Sequence, residues 1–419
     1  MSYPTLSFLL NGLFMAGGFL TLYAVYFLVI AVFGFKRRKA LPAAAPHTRF
    51  ALVVAARNEA AVIGQLVESL REQNYPDALY DIIVAPNNCT DDTRAVALAA
   101  GAQVFDPVGE VHSKGEVLAQ VSAVLLRQKK HHAVCVFDAD NLVHPDFLQR
   151  MNDAFAAGYH VAQGFRDSKN PADTAVSTCY SVCYWMLNRF YNGGREALGL
   201  SGLVNGSGFM VSRKLLKELG GFQTTTMTED YEFSAQCVLK GHKVHYVHDA
   251  IIYDEQPLTF FQSWRQRRRW STGSVQCMEI YTSDLVKGAF KRRSWVCMDL
   301  AITYLTPMVQ LVSFLVWLGT AVLGAYGVME FNLIPLTQIM VGAVTACCVA
   351  VGLCTLLAAF VVRLNRRAMR GTGRGIVYFA LFLLSWMPIG IISLFRKKKT
   401  WDAIGHTRTV RVRDVMRAD

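Results

Sequence analysis

Three long apolar stretches limit what this chain can fold into more than any other feature of its sequence. They cover residues 6–35, 299–327 and 333–362, and each is long enough to cross a bilayer as a helix. Basic residues lie beside them, in the runs 36–39, 265–269, 291–293, 363–374 and 396–399. Cations next to apolar stretches are typical of membrane topology, so the net charge of +12 predicts a lipid bilayer rather than nucleic acid as a partner.

The two ends of the chain are both predicted to be tied to the membrane. Residues 1–40 are predicted as an N-terminal transmembrane helix, because their cations follow the apolar run, whereas in a cleaved signal peptide they precede it. Residues 299–395 are predicted as a C-terminal membrane region, and 396–419 as a basic cytoplasmic tail. Within that region, 378–395 has basic runs on both sides and contains Pro388, so we expect a re-entrant or interfacial segment. These assignments predict a multi-pass plasma-membrane protein with a cytoplasmic domain.

Residues 49–257 have the pattern of an α/β domain. Apolar strand runs at 49–56, 80–85, 103–105 and 133–137 alternate with helical spacing at 59–70, 91–100 and 115–127. This alternation predicts a mostly parallel sheet with helices on both faces and ligands at the carboxyl ends of the strands. The first strand is not followed by Gly-x-Gly-x-x-Gly, so the usual dinucleotide fingerprint is missing. Residues 173–200 suit either an amphipathic pair on the membrane surface or helical core.

Two carboxylates follow the last of these strands directly, as Asp138-Ala139-Asp140. In an extended backbone the side chains at i and i+2 project to the same side. Together they can hold a hard cation, Mg²⁺ or Mn²⁺, and the diphosphate that the cation bridges. The sequence therefore predicts a metal site at Asp138 and Asp140.

A second acidic cluster, Thr228-Glu229-Asp230, precedes a predicted helix. A carboxylate at a helix N-terminus is often only a cap. Thr228 can cap this helix, which leaves Glu229 or Asp230 to act as a general base. Upstream, the loop Asn205-Gly206-Ser207-Gly208 suits close approach of the backbone to a ligand, and it suits an ordinary turn equally well.

Residues 258–298 are predicted as interfacial helices, and they contain Gln266-Arg267-Arg268-Arg269-Trp270. Arginine forks suit phosphate oxygens, and an indole ring suits a sugar face or a bilayer interface. Taken alone, the cluster is equally typical of a basic juxtamembrane segment. Together with the two acidic clusters it predicts a diphosphate, its cation and a sugar in one pocket.

Cysteine and histidine usage favours no further metal site. The ten cysteines are scattered without a Cys-x-x-Cys pair, which is typical of small core residues in a reducing compartment. His242, His245 and His248 surround a predicted strand, where His245 would point away from the other two. A zinc site shared by these histidines is therefore not expected.

In their order along the chain, the three motifs resemble those of the inverting family 2 glycosyltransferases, specifically the membrane-embedded cellulose, chitin and hyaluronan synthase type. The resemblance runs from about residue 49 to residue 273. It implies a GT-A fold with Mg²⁺ or Mn²⁺ at Asp138 and Asp140. It also implies that Asp230 is the catalytic base, with Glu229 beside it.

The same resemblance implies a donor site and an acceptor site. Asp138 and Arg269 would hold the diphosphate of a UDP-sugar, and Lys114 would line the nucleotide site. The positions implied for uridine follow the first two strands, namely Ala56, Arg57, Asn58, Glu59 and Asn87. Those implied for the acceptor are Thr228, Gln266 and Trp270.

Two positions depart from the family pattern. Asn87 stands where an Asp is usual, although an amide oxygen can still accept a hydrogen bond from uracil. Residues 399–407 resemble a tail motif of some bacterial members, with Ala403 in place of a proline. That this tail covers the active site is a hypothesis.

The function implied is hexosyl transfer by a single displacement that inverts the anomeric carbon. The main prediction is a processive β-glycan synthase that extends, and in some members secretes, a polysaccharide. With so few membrane spans, such an enzyme would need a second copy or an export subunit. The alternative is transfer of one sugar to a lipid, as in ceramide glucosyltransferases, which share the Gln/Arg-x-x-Arg-Trp pattern. A catalytically silent membrane subunit is a third possibility, against which the intact acidic motifs argue.

Overall fold

The computed structural model describes residues 1–36, 40–331, 336–365, 371–395, 406 and 408–418. Parts of three basic runs, at 37–39, 366–370 and 396–399, lie outside the described residues. The predicted tail motif lies outside them as well, with the exception of His406.

A mixed sheet forms the centre of the α/β region. Its strands are β1 (Phe50–Ala56), β2 (Tyr80–Pro86), β3 (Gln103–Val104), β4 (Ala133–Asp138), β5 (Leu142–Val143), β6 (Val161–Ser168), β7 (Phe209–Ser212) and β8 (His245–Asp254). They lie in the order β3-β2-β1-β4-β7-β6-β8-β5. Pairings β1–β2, β1–β4, β2–β3 and β6–β8 are parallel, while β4–β7, β6–β7 and β5–β8 are antiparallel. The predicted α/β fold with a mostly parallel sheet is confirmed.

Helices cover both faces of this sheet and continue into the membrane region. In chain order they are α1 (Tyr3–Phe33), α2 (Ile63–Arg71), α3 (Thr93–Ala99), α4 (Lys114–Gln128), α5 (Phe147–Ala156), α6 (Ala175–Met186), α7 (Gly193–Leu198), α8 (Arg213–Leu219), α9 (Glu229–Leu239), α10 (Phe260–Arg292), α11 (Trp295–Tyr304), α12 (Thr306–Phe331), α13 (Leu336–Leu364), α14 (Gly373–Leu384), α15 (Trp386–Phe395) and α16 (Val412–Ala418). Short 3₁₀ and π-helical turns lie at Asp77–Leu79 and Leu187–Asn192.

The core is built on both faces of the central strand β1. Leu52 belongs to one buried cluster, with side chains of α2 and α5, and Val53 belongs to the cluster on the opposite face, with side chains of α4 and α9. Both residues are fully buried. Successive side chains of a strand point to opposite faces, so a central strand covered on both sides is apolar throughout, as the sequence of β1 is.

Among the described residues, four helical segments are long and apolar enough to cross a membrane: α1, α12, Met340–Leu364 of α13, and α14 with α15 taken together. The predicted stretch 299–327 is divided, because α11 ends at Tyr304 and α12 begins at Thr306. Asp299 lies in α11, where it is buried against the α/β domain and paired with Arg195. The apolar stretch in the sequence therefore begins before the spanning helix does.

Residues 371–395, all described, form a helix interrupted at Ser385, and the chain makes no re-entrant turn there. The interruption is not at Pro388, which lies in the first turn of α15. A proline is tolerated in the first turn because its missing N–H would have no intrahelical acceptor. At the break, the Ser385 hydroxyl donates to the carbonyl of Phe382 at 2.6 Å.

The segment between the sheet and the membrane helices is organised by α10. This single 33-residue helix replaces the several interfacial helices expected within 258–298, and it begins with a reciprocal capping box between Thr259 and Gln262. It packs against α9 and α11, with which it shares one buried cluster, and against α15. In 173–200, Tyr180 and Trp185 of α6 are buried against α14, so this segment is helical core.

Candidate active site

The carboxyl end of β4 carries the first acidic pair. The backbone N–H of Asp138, the last residue of β4, donates to Asn141 Oδ1 and to Ser207 Oγ, both at 3.0 Å. These bonds hold the turn after the strand against the loop that contains Ser207. The Asp138 side chain is thereby fixed at the edge where parallel strands end, which is the usual position of a ligand in such a sheet.

Lys114, the first residue of α4, connects the predicted motifs. Its Nζ lies 2.5 Å from Asp138 Oδ1, 2.6 Å from the carbonyl oxygen of Gly206 and 3.4 Å from Glu229 Oε1. Burial opposes the charge of Lys114, but the carboxylates of Asp138 and Glu229 raise its pKa above the usual value. The site therefore contains one fixed ammonium between the two acidic clusters.

Asp138 and Asp230 both lie close to Gly206. A Cβ atom placed on Gly206 would be 3.5 Å from Asp230 Oδ2 and 3.8 Å from Asp138 Oδ2, and the φ of this glycine is +80°. Only a residue without a side chain takes this backbone conformation readily. The carboxylates that the sequence places 92 residues apart thus face the same small space.

The surroundings of these two carboxylates shift their pKa values in opposite directions. Burial raises the pKa of Asp230 to about 7, and the neighbouring charge of Glu229 acts in the same direction. Burial acts on Asp138 too, but the cations of Lys114, Arg166 and Arg269 hold its pKa below the usual range. A pair separated in this way supplies one group that can take a proton near neutral pH and one that stays ionised.

Thr228 occupies the N-cap position of α9, but its side chain makes no capping hydrogen bond. Its Oγ lies 3.9 Å from the sulfur of Cys277, and a Cβ on Gly273 would collide with its side chain. The expected cap is therefore wrong. Thr228 instead packs α9, which carries Asp230, closely against α10.

A third group of acids surrounds Asp140. The carboxylate of Asp140 is buried and accepts a hydrogen bond from the Glu255 N–H at 3.3 Å. His406 lies beside it, with Nδ1 3.0 Å from Glu59 Oε1 and Nε2 3.8 Å from Asp140 Oδ2. Although burial opposes its charge, these acids raise the pKa of His406 to about 10. The tail resemblance was the only signal in the sequence that this histidine belongs near the site.

The chemistry of these donors fits a hard divalent cation. Within the described part of the chain, no group of three or more His, Cys, Asp or Glu side chains is arranged to hold a metal ion by itself. Mg²⁺ is commonly held by one or two carboxylates together with the phosphates of a substrate. Asp138 and Asp140 would provide two such carboxylates. By contrast, His242 contacts Glu218 and His245 contacts Glu196, so these histidines have separate acidic partners.

The loops after β1 and β2 are tied together, as a nucleotide site would require. Asn58, with φ of +57°, accepts a hydrogen bond from the Thr90 N–H at 2.8 Å, and the Glu59 N–H donates to Thr93 Oγ1 at 2.8 Å. The N–H of Asn87 donates to the carbonyl of Ala56 at 2.8 Å. Since β1 pairs with both β2 and β4, these loops and Arg57 lie beside the turn that contains Asp138.

The arginines of α10 have different surroundings. Arg267 is fully buried; its Nη1 donates to Ser385 Oγ at 2.6 Å, and its guanidinium lies 4.4 Å from the Phe382 ring centroid. It anchors α10 to the break between α14 and α15. Arg269 is close enough to the site to lower the pKa of Asp138.

The other two motif residues of α10 lie near the membrane helices. The Trp270 ring is stacked on Trp386 at 6.3 Å between centroids, and its centroid lies 5.9 Å from that of Tyr180. The Oε1 atom of Gln266 is buried without a hydrogen-bond partner among the described residues. An unpartnered buried acceptor is unfavourable, so it suits a position that a ligand donor would satisfy.

Arg166 of β6 is a site residue that the sequence analysis missed. Its Nη1 atom lies 3.6 Å from the position that a Cβ on Gly206 would take, and both carboxylates lie close to the same position. Nothing in the local sequence singles it out, because its partners come from distant parts of the chain.

Comparison with known proteins identifies the family. A model described as glycosyltransferase-like family 2 matches residues 46–273, more than half of the chain. The chain belongs to this family. The prediction that it is a family 2 glycosyltransferase is therefore confirmed, whereas the narrower prediction of a processive synthase stays open.

Two curated relatives of this glycosyltransferase differ in what their names describe. A β-monoglucosyldiacylglycerol synthase of Synechocystis sp. is 30% identical over 239 residues, which cover 55% of this chain and 49% of that protein. A probable glucomannan 4-β-mannosyltransferase of Arabidopsis thaliana is 28% identical over 181 residues, covering 41% of this chain and 33% of that protein. The match to the first relative thus spans about half of its length.

Among solved structures, the mannosyltransferase PcManGT of Pyrobaculum calidifontis, in complex with GDP-Man and Mn²⁺, has a TM-score of 0.63. It is 16% identical, and the match covers 94% of this chain and 100% of that one. At this identity the likeness concerns the fold alone, and it confirms the GT-A prediction for this glycosyltransferase.

Proposed function

We propose that this glycosyltransferase transfers a single sugar from a nucleotide-diphosphate sugar to the hydroxyl of a diacylglycerol-type membrane lipid, with inversion of the anomeric carbon. The observation that carries the proposal is the placement of Asp138 and Asp230 around Gly206. Next to them, α10 packs against the membrane helix α15. The name of the Synechocystis relative supports glucose as the sugar and a lipid as the acceptor.

In this mechanism Asp230 accepts the proton of the acceptor hydroxyl while the oxygen attacks the anomeric carbon. Its pKa of about 7 suits this role, because a general base works best with a pKa near the working pH. Glu229 contributes to that raised pKa and forms an ion pair with Lys114. The attack comes from the face opposite the diphosphate, so an α-linked donor gives a β-linked product.

On the donor side, positive charge neutralises the leaving diphosphate. Lys114 and Arg269 provide that charge from the protein, at fixed positions that need no reorganisation during the reaction. Asp138 and Asp140 would hold Mg²⁺ or Mn²⁺, which supplies further positive charge to the diphosphate when bound. We assign Ala56, Arg57, Glu59 and Asn87, which lie in or next to the two linked loops, to the nucleoside of UDP-glucose.

On the acceptor side, Gln266 and Trp270 of α10 face the lipid headgroup. Thr228 packs α9, the helix that carries the base Asp230, against α10. The active site then opens toward the lipid between α10 and α15. For the chain as a whole we propose a transmembrane helix within 1–40, a cytoplasmic catalytic domain at 49–257, an interfacial helix within 258–298, a membrane region at 299–395 and a cytoplasmic tail. Transfer of one sugar requires no export subunit.

The decisive experiment measures product size. The full chain in lipid nanodiscs is incubated with labelled UDP-glucose and diacylglycerol, then with other UDP-sugars and GDP-mannose. We expect a glycolipid carrying one sugar. A product of high molecular weight would favour the processive alternative, which the order of motifs and the name of the Arabidopsis relative support. Absence of nucleotide release with every donor would contradict both.

A further inference from the structure

Arg166 makes a fork of hydrogen bonds at the end of β6. Its Nε donates to Asp254 Oδ2 at 2.9 Å, its Nη2 contacts the same oxygen, and its Nη1 donates to the carbonyl of Asn205 at 2.6 Å. The guanidinium lies over the ring of Tyr184, 4.4 Å from its centroid. Arg166 and Asp254 are both buried. The fork thus joins the last residue of β8 to the loop that precedes β7.

On one side, this fork is connected to the predicted metal carboxylates. Asn141 Nδ2 donates to Asp254 Oδ1 at 3.0 Å. Asn141 Oδ1 in turn accepts the backbone N–H of Asp138 at 3.0 Å and contacts the Ser207 hydroxyl. A continuous series of hydrogen bonds therefore runs from Arg166 to the backbone that carries Asp138. Networks of this kind fix geometry because each member limits the movement of the next.

On the other side, the fork holds the turn beside the proposed base. The carbonyl that accepts from Arg166 belongs to Asn205, and the next carbonyl, of Gly206, accepts from Lys114 at 2.6 Å. Two cations therefore hold this turn, Arg166 from β6 and Lys114 from α4. Both carboxylates, of Asp138 and Asp230, lie close to Gly206, so a movement of this turn would change the space that they share.

We propose that Arg166 is a positioning residue for sugar transfer. It holds the Asn205–Gly206 turn between Asp138 and Asp230, so that the base on one side and the leaving diphosphate on the other stay in line with the anomeric carbon. The inference rests on the proposed function and adds a residue that lies outside the family 2 motifs. A purely stabilising role explains the pair less well, because a buried ion pair commonly gives no more stability than apolar side chains of similar volume.

The fork requires arginine specifically. A guanidinium presents donors in two directions within one plane, whereas a lysine ammonium is a single point charge on a flexible stem. Arg166→Lys would keep the charge between Asp138 and Asp230 but could not hold Asp254 and the Asn205 carbonyl with the same geometry. This variant separates the geometric role from the electrostatic one, and Arg166→Gln removes both.

The test compares these variants with Arg195→Lys, which alters a second buried arginine–aspartate pair away from the site. The full chain in nanodiscs is assayed for UDP release and glycolipid formation, and each rate is divided by the number of UDP-binding sites measured by titration. For Arg166→Lys and Arg166→Gln we expect kcat per binding site to fall ~100-fold, the loss expected for a misplacement of about 1 Å, with unchanged UDP affinity. Arg195→Lys should lower the melting temperature without changing kcat per site.

Several outcomes would overturn the inference. One is an unchanged kcat per binding site in Arg166→Lys; another is a loss of UDP binding in proportion to the loss of turnover, which a merely structural role predicts. If Arg166→Gln does not fold, Asp254→Asn provides the second variant, since it keeps the shape of the partner and removes its charge; unchanged turnover there would also count against the inference. A wild-type protein that releases no UDP from any donor would instead contradict the proposed function.

Discussion

Two buried arginine–aspartate pairs in this protein are similar in their Nε–Oδ2 distance and in burial, and they differ in their surroundings. In Arg166–Asp254 and in Arg195–Asp299, arginine Nε donates to aspartate Oδ2 at 2.9 Å. Each guanidinium lies over a tyrosine ring, at 4.4 Å and 3.6 Å from the centroid. The side chains of both pairs are at most 9% exposed. The pairs differ in their second bond, because Arg166 Nη2 contacts the same oxygen, Oδ2, whereas Arg195 Nη2 donates to Oδ1 at 3.0 Å.

The residues around the two arginine–aspartate pairs differ as well. Asp299 of α11 also accepts from the hydroxyl of Tyr26 in α1 at 2.7 Å, and Arg195 of α7 also donates to Thr303 at 3.1 Å. This pair therefore joins the N-terminal helix and α11 to the α/β domain. Arg166 instead holds a backbone turn between two carboxylates of the site. The role of a buried ion pair therefore depends on which groups its remaining donors and acceptors contact. The distance within the pair and its burial do not reveal that role.

The largest expected effect comes from changing the proposed catalytic base, which leaves both arginine–aspartate pairs intact. Asp230→Asn removes the proposed base, so kcat should fall by ~10²–10⁴-fold, the range of general base catalysis. Binding of UDP should be unchanged, since the donor residues are untouched. Single-turnover assays and UDP titration measure the two quantities. The loss of kcat in Arg166 variants should not exceed this loss. Turnover close to wild type in Asp230→Asn would show that Asp230 is not the base.

The next effect concerns the structural pair. Arg195→Leu leaves the Asp299 carboxylate buried without its cation, which should cost about 3–5 kcal/mol of stability. The double variant Arg195→Met/Asp299→Leu removes both charges and should recover most of that loss. Thermal unfolding in detergent measures stability, and UDP release per binding site measures activity. A double variant as unstable as the single one would contradict this account, as would a change in kcat per site.

The pH dependence of the reaction should separate the two pairs. The raised pKa of Asp230 means that the group is mostly protonated, and unable to accept a proton, below about pH 7. We expect kcat to fall about tenfold per pH unit below this value and to be level above it. Arg166 lowers the pKa of Asp230, so in Arg166→Gln the acid limb should move to higher pH. Arg195→Lys should leave the profile unmoved, and a shift there would contradict the distinction.

The smallest effect comes from two glycines, one beside each arginine. Gly206 and Gly199 have φ of +80° and +72°, so alanine at either should cost about 1–2 kcal/mol through backbone strain. The added methyl group meets open space at Gly199, but at Gly206 it enters the space between Asp138 and Asp230. Both variants should lose similar stability, and only Gly206→Ala should lose turnover per binding site. Equal turnover in the two variants would show that the Gly206 turn does not limit transfer.

The fold was accessible from the sequence where local patterns decide it. Strands β1, β2 and β4 lie within a residue or two of their predicted bounds, because continuous apolar runs between helical segments are typical of a buried parallel sheet. The three motifs indicated the right family for the same reason, since each contains its chemistry within a few residues. The assignments that failed or stayed open all concern packing between distant segments.

The membrane region shows this limit clearly. The apolar stretch at 299–327 predicts one span, but Asp299 pairs with Arg195 and draws α11 onto the α/β domain. The segment with Pro388 predicted a re-entrant or interfacial segment, and the structure has a helix interrupted at Ser385, beside the buried Arg267 of α10. In both cases one of the two helices at the break is held by a polar contact with a residue more than 100 positions away, which the local sequence does not contain.

By itself the sequence determined an α/β glycosyltransferase with apolar helices at both ends and acidic, cationic and aromatic groups suited to a sugar nucleotide. Only the tertiary structure decided that Asp138 and Asp230 share one space and that Arg166 lies close to it. It also decided that burial raises the pKa of Asp230, whereas neighbouring cations lower the pKa of Asp138. The reason is physical: composition and periodicity record what each segment buries, whereas the charge that a carboxylate meets depends on which strand ends the sheet brings together.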